Sequence, residues 1–379
     1  MPSRSSSPTE FSQFVSRAVV PPFLLERIAQ HGSPSSGQGV AVDHASSSAA
    51  RTLAIDRELV RGRIDAPRPT ASAGRAATSG PRRSIHDAEN DRVLPGRLIR
   101  AEGQPSSGDV SVDEAYEGLG TTFEFFRDVY GRNSLDDGGL PLDATVHYDR
   151  DYDNAFWDGE RMVFGDGDGE VFGRFTASLS VIAHELAHGF TQYASGLEYS
   201  GQSGALNESL SDVFGVLVEQ FALGQNADDA SWLVGQGLFL PAVEGRALRS
   251  MIAPGTAYDD DVLGRDPQPA DMDGYVETRS DNGGVHINSG IPNRAFASAA
   301  IELGGHAWDR AGQVWFDVAT DSSLSPTIDF DGFAAATVAA AAARFGIESD
   351  VRRAVSFGWS TVGVAVDDQE PTDSTSRRV

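Results

Sequence analysis

Two histidines four residues apart, His184 and His188, lie within the stretch SLSVIAHELAHGFTQYA. If that stretch is helical, both imidazoles share one face and can reach a single cation. Glu185, one step round, then points toward a water on the same ion. The chain contains no cysteine, so thiolate metal sites, thiol catalysis and disulfides are excluded together. Any metal must be held by nitrogen and oxygen. Glu208, in GALNESLSDVFG, offers the third ligand, and Asp212 follows it by one helical turn. Two His and one Glu leave the fourth position on zinc open for water, as a hydrolytic site requires and a structural one does not. Asp212 is suited to accept the outer N–H of a ligand imidazole and so fix its tautomer. The plainer alternative for Glu208 and Asp212 is a solvated acidic helix face.

A second polar cluster is Asp281-Asn282-Gly283-Gly284-Val285-His286. A carboxylate shortly before a histidine in a Gly-rich loop can orient and charge the ring. Hydrolysis of an amide builds negative charge on the carbonyl oxygen, and an imidazolium is a suitable partner for it. The chemistry read from these residues is metal-assisted amide hydrolysis, with Glu185 as general base and His286 at the oxyanion. His147 and His306 read as structural histidines. GDGDG, residues 165–169, reads as a tight turn, because the later acidic ligand of an EF-hand loop is missing.

From residue 178 onward the periodicity is helical, over 178–194, 204–222, 288–303, 308–319, 330–345 and 348–357. Before it, an amphipathic helix is expected from Val112 to Tyr130, with Tyr116, Leu119, Phe123 and Phe126 on one face. It is accompanied by β-prone ATVHY and by the hairpin-like run DNAFWDGERMVFGDGDGEVFG. This predicts an α+β fold in which a β-rich domain (85–196) carries the HELAH helix. A mainly helical domain (197–366) follows, with the site between the two. N-terminal to them, RAVVPPFLLERIAQ is a short apolar docking element. Residues 31–84 are Ser, Ala, Gly, Pro and Arg-rich, too poor in large apolar side chains for a core, and 367–379 reads as a disordered tail.

At 379 residues the chain exceeds one typical domain. Its 55 acidic and 30 basic residues give a net charge of −25, which opposes binding to nucleic-acid phosphates and anionic membranes. Every basic residue is Arg; adaptation to high salt and GC-rich coding account for this equally well. No apolar run spans a bilayer, and the N-terminus lacks the apolar core of a signal peptide. The expectation is a soluble protein, secreted by a route without a recognisable signal peptide, with a cytoplasmic location as the alternative.

NAFW, MVFGDGDG, HELAH, GLEY, GALNESLSD, LRSM and DNGGVHINSGI occur in this order. In them the chain resembles the thermolysin family of zinc metalloendopeptidases over roughly Leu94–Val364. RAVVPPFLLERI resembles the short propeptide of its protealysin-like branch. The resemblance implies that Asn154 and the carbonyl of Ala155 bind substrate backbone and that Tyr199 supports the oxyanion beside His286. It also implies that Asp281 orients His286 and that Arg249 holds the carbonyl beyond the cleaved bond. Phe172, Phe175, Val181 and Leu248 would form a pocket for a large apolar residue just after that bond. Relatives with a calcium pair use carboxylates where Ser180, Ser231, Leu233 and Gln236 stand here, with Glu219 retained. Calcium binding is therefore doubtful, since Ca²⁺ needs about six to eight oxygens. The implied partners are peptide and protein substrates and the chain's own propeptide. Residues 1–45 would form that propeptide, with Val19 to Leu25 against the cleft. Residues 46–84 would be a flexible linker, cut somewhere between about His44 and Ile85. The rival readings are an inactive peptide-binding scaffold and an exopeptidase.

Overall fold

The computed structural model describes residues 17–31, 42–63 and 80–366. The tail at 367–379 lies outside them. Six strands form one sheet in the order β1-β5-β6-β4-β2-β3. They are β1 (Arg17–Ala18), β2 (Arg83–Asp87), β3 (Arg97–Ala101), β4 (Leu142–Val146), β5 (Ala155–Trp157) and β6 (Met162–Phe164). β2 and β6 run parallel to β4 on its two sides, while β5 and β6 form the antiparallel pair anticipated from NAFWDGERMVF. The edge beyond β5 is closed by β1, which comes from the N-terminal segment and pairs Arg17 with Trp157 and Ala18 with Phe156.

Helix α1 spans Pro22–His31, α2 Val42–Arg63, α3 Val110–Tyr130, α4 Leu179–Tyr193 and α5 Gly201–Leu223. α3 starts where the Asp109 carboxylate caps the Val112 N–H, and it buries Tyr116, Leu119, Phe123 and Phe126 as its periodicity anticipates. The C-terminal part is helical: α6 (Asp281–Asn288), α7 (Gly290–Leu303), α8 (Ala311–Thr320), α9 (Phe330–Phe345) and α10 (Asp350–Thr361). A two-residue pair, β7 (Leu233–Val234) with β8 (Arg249–Ser250), lies between α5 and α6. His147 bridges Asp166 (2.7 Å) and Asp109 (3.1 Å), and His306 stacks on Trp308, so both sit in structural pairs. The GDGDG run is a turn in which Asp168 Oδ1 accepts the N–H groups of Glu170, Val171 and Phe172.

The N-terminal region departs from the sequence reading. α2 occupies Val42–Arg63, a span read as the end of a docking segment followed by flexible linker, and it is docked. Ala45, Ala49, Thr52, Leu53 and Ile55 are buried, and Ile55 joins Tyr148, Tyr152, Phe156 and Val163 in one apolar cluster. The compositional rule looked for large apolar residues. Here small ones give the helix a close approach, its Ala, Leu, Arg and Glu content favours helix, and polar side chains complete the contact. Arg51 forms an ion pair with Asp149, and Asp56 accepts from Tyr152 Oη at 2.5 Å. Residues 64–79 lie outside the described ones.

The two helices that carry the expected metal ligands, α4 and α5, are packed closely. At Gly215 a Cβ would stand 2.7 Å from the Ser180 carbonyl oxygen and 3.3 Å from His184 Cβ, so only glycine permits this approach. Gly215→Ala is expected to cost about 1–3 kcal/mol through overpacking and to weaken zinc binding. Denaturant unfolding with parallel zinc titration measures both, and unchanged values would mean that the two helices part at no cost.

Candidate metal centre and cleft

α4 presents His184, Glu185 and His188 on its inner face, and α5 brings Glu208 up to them; all four are fully buried. The ligand atoms of His184, His188 and Glu208 lie within 4.8 Å of one another. His184 Nε2 stands 3.6 Å from Glu208 Oε2, and His188 Nε2 stands 3.4 Å from Glu208 Oε1. Ligands of one tetrahedral zinc ion, each about 2.0–2.1 Å from it, are separated by about 3.3 Å, so the three groups stand close to the spacing such an ion needs and draw together slightly when it binds. His184 Nε2 and Glu208 Oε2 are buried with no hydrogen-bond partner, as ligand atoms aimed at a cation should be.

The outer imidazole nitrogens are held from α5. His184 Nδ1 faces Asp212 Oδ1 at 2.8 Å, the arrangement anticipated from the sequence. His188 Nδ1 instead meets Asn207 Oδ1 and Ser211 Oγ, each at 3.0 Å. The sequence reading missed both, although they flank Glu208 and Asp212 within NESLSD. Asp212 does more than hold a ring. Arg249 makes two 2.8 Å hydrogen bonds to it and Asn293 a third of 2.8 Å. Burial raises the Asp212 carboxyl, but the Arg249 charge and the bonds from His184 and Arg249 outweigh it and hold the group well below the usual carboxylate range.

Glu185 Oε2 accepts the Trp157 N–H at 2.9 Å, which ties the general-base candidate to the end of β5. At the start of α6 the backbone runs left-handed through Asp281, Asn282, Gly283 and Gly284. At Gly283 (φ 90°) a Cβ would stand 2.9 Å from Gly201 N. This curl returns Asp281 onto His286, with Oδ2 accepting the His286 backbone N–H (2.8 Å) and Oδ1 facing Nδ1 (2.6 Å). Burial disfavours the imidazolium, yet Glu208 and Asp281 overcome it and raise His286 to about 9. Tyr199 Oη donates to Glu208 Oε1 and lies 3.3 Å from His286 Nε2.

The N-terminal segment runs through this cleft. Ala18 O is 3.2 Å from His286 Nε2, Val19 N donates to Ala155 O at 3.1 Å, and Arg249 Nη1 donates to Val19 O at 3.0 Å. Val20 N donates to Asn154 Oδ1 at 2.9 Å, and Asn154 Nδ2 returns a 3.2 Å bond to Val20 O. Phe172, Phe175, Val181 and Leu248 are buried in the same apolar cluster as Val19 and Val20.

The family model for the thermolysin metallopeptidase catalytic domain matches residues 85–192, and that for the alpha-helical domain matches residues 195–364. The chain belongs to the thermolysin metallopeptidase family. It is 52% identical to an extracellular metalloprotease of Pectobacterium carotovorum subsp. carotovorum, over 92% of this chain and 96% of that one. It is 44% identical to protease PrtS of Photorhabdus sp., over 93% of this chain and 94% of that one. Among solved structures it is similar to the precursor of protealysin, a metalloproteinase from Serratia proteamaculans. The TM-score is 0.78 at 50% identity, covering 92% of this chain and all of that one. As a thermolysin-family metalloendopeptidase the protein has the two-domain fold, with a sheet-containing catalytic domain and a helical domain, and its metal is zinc.

Asp212→Ala strips the partner from buried Arg249 and from His184 together. The expected loss is about 3–5 kcal/mol of stability, with zinc affinity falling about 10- to 100-fold. Denaturant unfolding and zinc titration of this variant check the expectation; intact zinc affinity would show that Asn207 and Ser211 suffice to hold the site.

Proposed function

We propose that this thermolysin-family protein cuts internal peptide bonds ahead of large apolar residues and that residues 17–63 hold it as a zymogen. The observation that carries this is the path of Ala18–Val20. The groups assigned by resemblance to substrate backbone, Asn154, Ala155, Arg249 and His286, are the ones that hold this segment. The segment continues into β1 on one side and α1 on the other, so the cleft accepts a chain that runs on in both directions. That supports an endopeptidase over an exopeptidase, which has to capture a free terminus.

Bound zinc supplies Lewis acidity, lowering the pKa of water and polarising the scissile carbonyl. Glu185 takes the proton of the attacking water and returns it to the leaving amine. His286, charged through Asp281, and Tyr199 donate to the developing oxyanion, while Arg249 and Asn154 align the chain beyond the cut bond. Phe172, Phe175, Val181 and Leu248 supply the apolar wall that favours a large side chain there.

Because α2 reaches Arg63 and β2 begins at Arg83, the cut that frees the segment falls between them. That window is narrower than the one read from the sequence. The relatives' name, extracellular metalloprotease, supports secretion, and no described helix is long and apolar enough to cross a membrane. Calcium has little to hold it. Gly235 N donates to Ser180 Oγ within the fold at 3.2 Å, and burial pushes the retained Glu219 up to about 7.

Glu185→Gln should keep zinc and lose at least about a hundredfold in turnover of an internally quenched peptide with blocked ends and Leu or Phe after the scissile bond. Near-normal cleavage by that variant would sink the assignment. The pH profile gives a second test. His286 is raised above its ordinary value, in part by Asp281, so activity should fall on the alkaline side as the ring loses its proton. Asp281→Asn removes one of the charges that raise it, so the alkaline limb should move to lower pH.

A further inference from the structure

Beneath α2, away from the zinc centre, two carboxyl groups are buried together. Asp153 is 1% exposed and Asp168 6%. Asp153 is covered by the helix itself: its N–H donates to Thr52 Oγ1 at 3.0 Å, and its Oδ2 accepts from Ser48 Oγ at 2.6 Å. Asp168 spends Oδ1 on three backbone N–H groups at 2.8–2.9 Å. What remains is Asp153 Oδ1 and Asp168 Oδ2, both buried and without a hydrogen-bond partner. Two charged carboxylates so placed repel each other, and burial of the Asp153 charge is only partly offset by the Ser48 hydroxyl and the Asp168 N–H. One proton on Asp153 removes the repulsion and the cost of burying its charge.

We propose that docking of α2 takes up one proton, held on Asp153, so that the N-terminal cover is held at low pH and loosens as the pH rises. This rests on reading residues 17–63 as the inhibitory cover.

Among the described residues, the surrounding charges leave Asp153 without an ion-pair partner. On α2, Arg51 pairs with Asp149, His44 lies 3.1 Å from Asp151 and 3.8 Å from Glu170, and Asp56 is bonded by Tyr152 and Asn154. On the turn, Asp166 is taken by His147. A metal in place of the proton is disfavoured: among the described residues, the only three His or carboxylate ligands close enough to share an ion are the zinc set. Burial, then the neighbouring Asp168, push the Asp153 carboxyl well above its ordinary value. Once α2 lifts, water reaches Asp153 and it returns toward the usual value of about 4. The docked state has the higher pKa, so docking is strongest below the undocked value. It weakens by up to about tenfold per pH unit as the pH rises toward the docked one.

The test uses the full-length chain carrying Glu185→Gln, so that the cover stays attached. Hydrogen exchange of the α2 amides, corrected for intrinsic rates, should show protection relative to α4 falling with rising pH. An infrared band of a protonated carboxyl should be present at neutral pH. Adding Asp153→Asn, neutral at every pH, should flatten the protection profile and remove part of the band, leaving the share that belongs to Glu219. Ser48→Ala should lower protection at every pH and keep the slope, and His44→Gln should keep the slope as well. An unchanged slope in Asp153→Asn, or its loss in His44→Gln, overturns the proposal. If α2 opens with pH as expected while wild-type peptide cleavage does not rise with it, the proton linkage stands and the cover reading fails.

Discussion

A single buried carboxylate holds the two halves of the cleft in register. Asp212 lies on α5, one turn after the ligand Glu208, and its two oxygens are divided among His184, Arg249 and Asn293. His184 belongs to the metal side, Arg249 to the side that grips a carbonyl, and Asn293 to α7 in the helical core. A charge buried this deeply is tolerable only while all its partners stay in place. The geometry of the ion, the substrate grip and the packing of α5 on α7 are therefore not independent variables. The close approach of α4 and α5 at Gly215 serves the same end, because it brings Glu208 and Asp212 within reach of the histidines.

Much of the metal centre was legible in the sequence, because helices translate spacing into direction. His184 and His188 share a face, and the turn between Glu208 and Asp212 points both toward α4. The double hydrogen bond from Arg249 to Asp212 was not legible, since nothing local to either residue relates β8 to α5. The roles of Asn207 and Ser211 were within reach, for they occupy the face of α5 that also carries Glu208. The sequence reading gives Asp212 to one imidazole and names no partner for the other, which amide and hydroxyl groups serve.

The N-terminal region failed for a different reason. The segment around Ser46 to Ala50 offers no large side chain, and a composition rule that counts such side chains reads it as unable to pack. α2 packs through small residues and through polar groups paired across the contact, among them Ser48, Arg51, Thr52 and Asp56. Partners of this kind are found in the loop from Asp149 to Asn154, far along the chain. A local reading can supply one half of each pair and never the other.

Asn154 draws these strands together. Its side-chain amide donates to Val20 O and to Asp56 Oδ2 at once, so the group that would recognise a substrate backbone also anchors α2. Under the proposed function, drift at this position alters how the enzyme reads its targets and how well its own N-terminal segment fits at the same time. On that reading the cleft and its cover would change together over evolutionary time, each limiting the variation the other can accept.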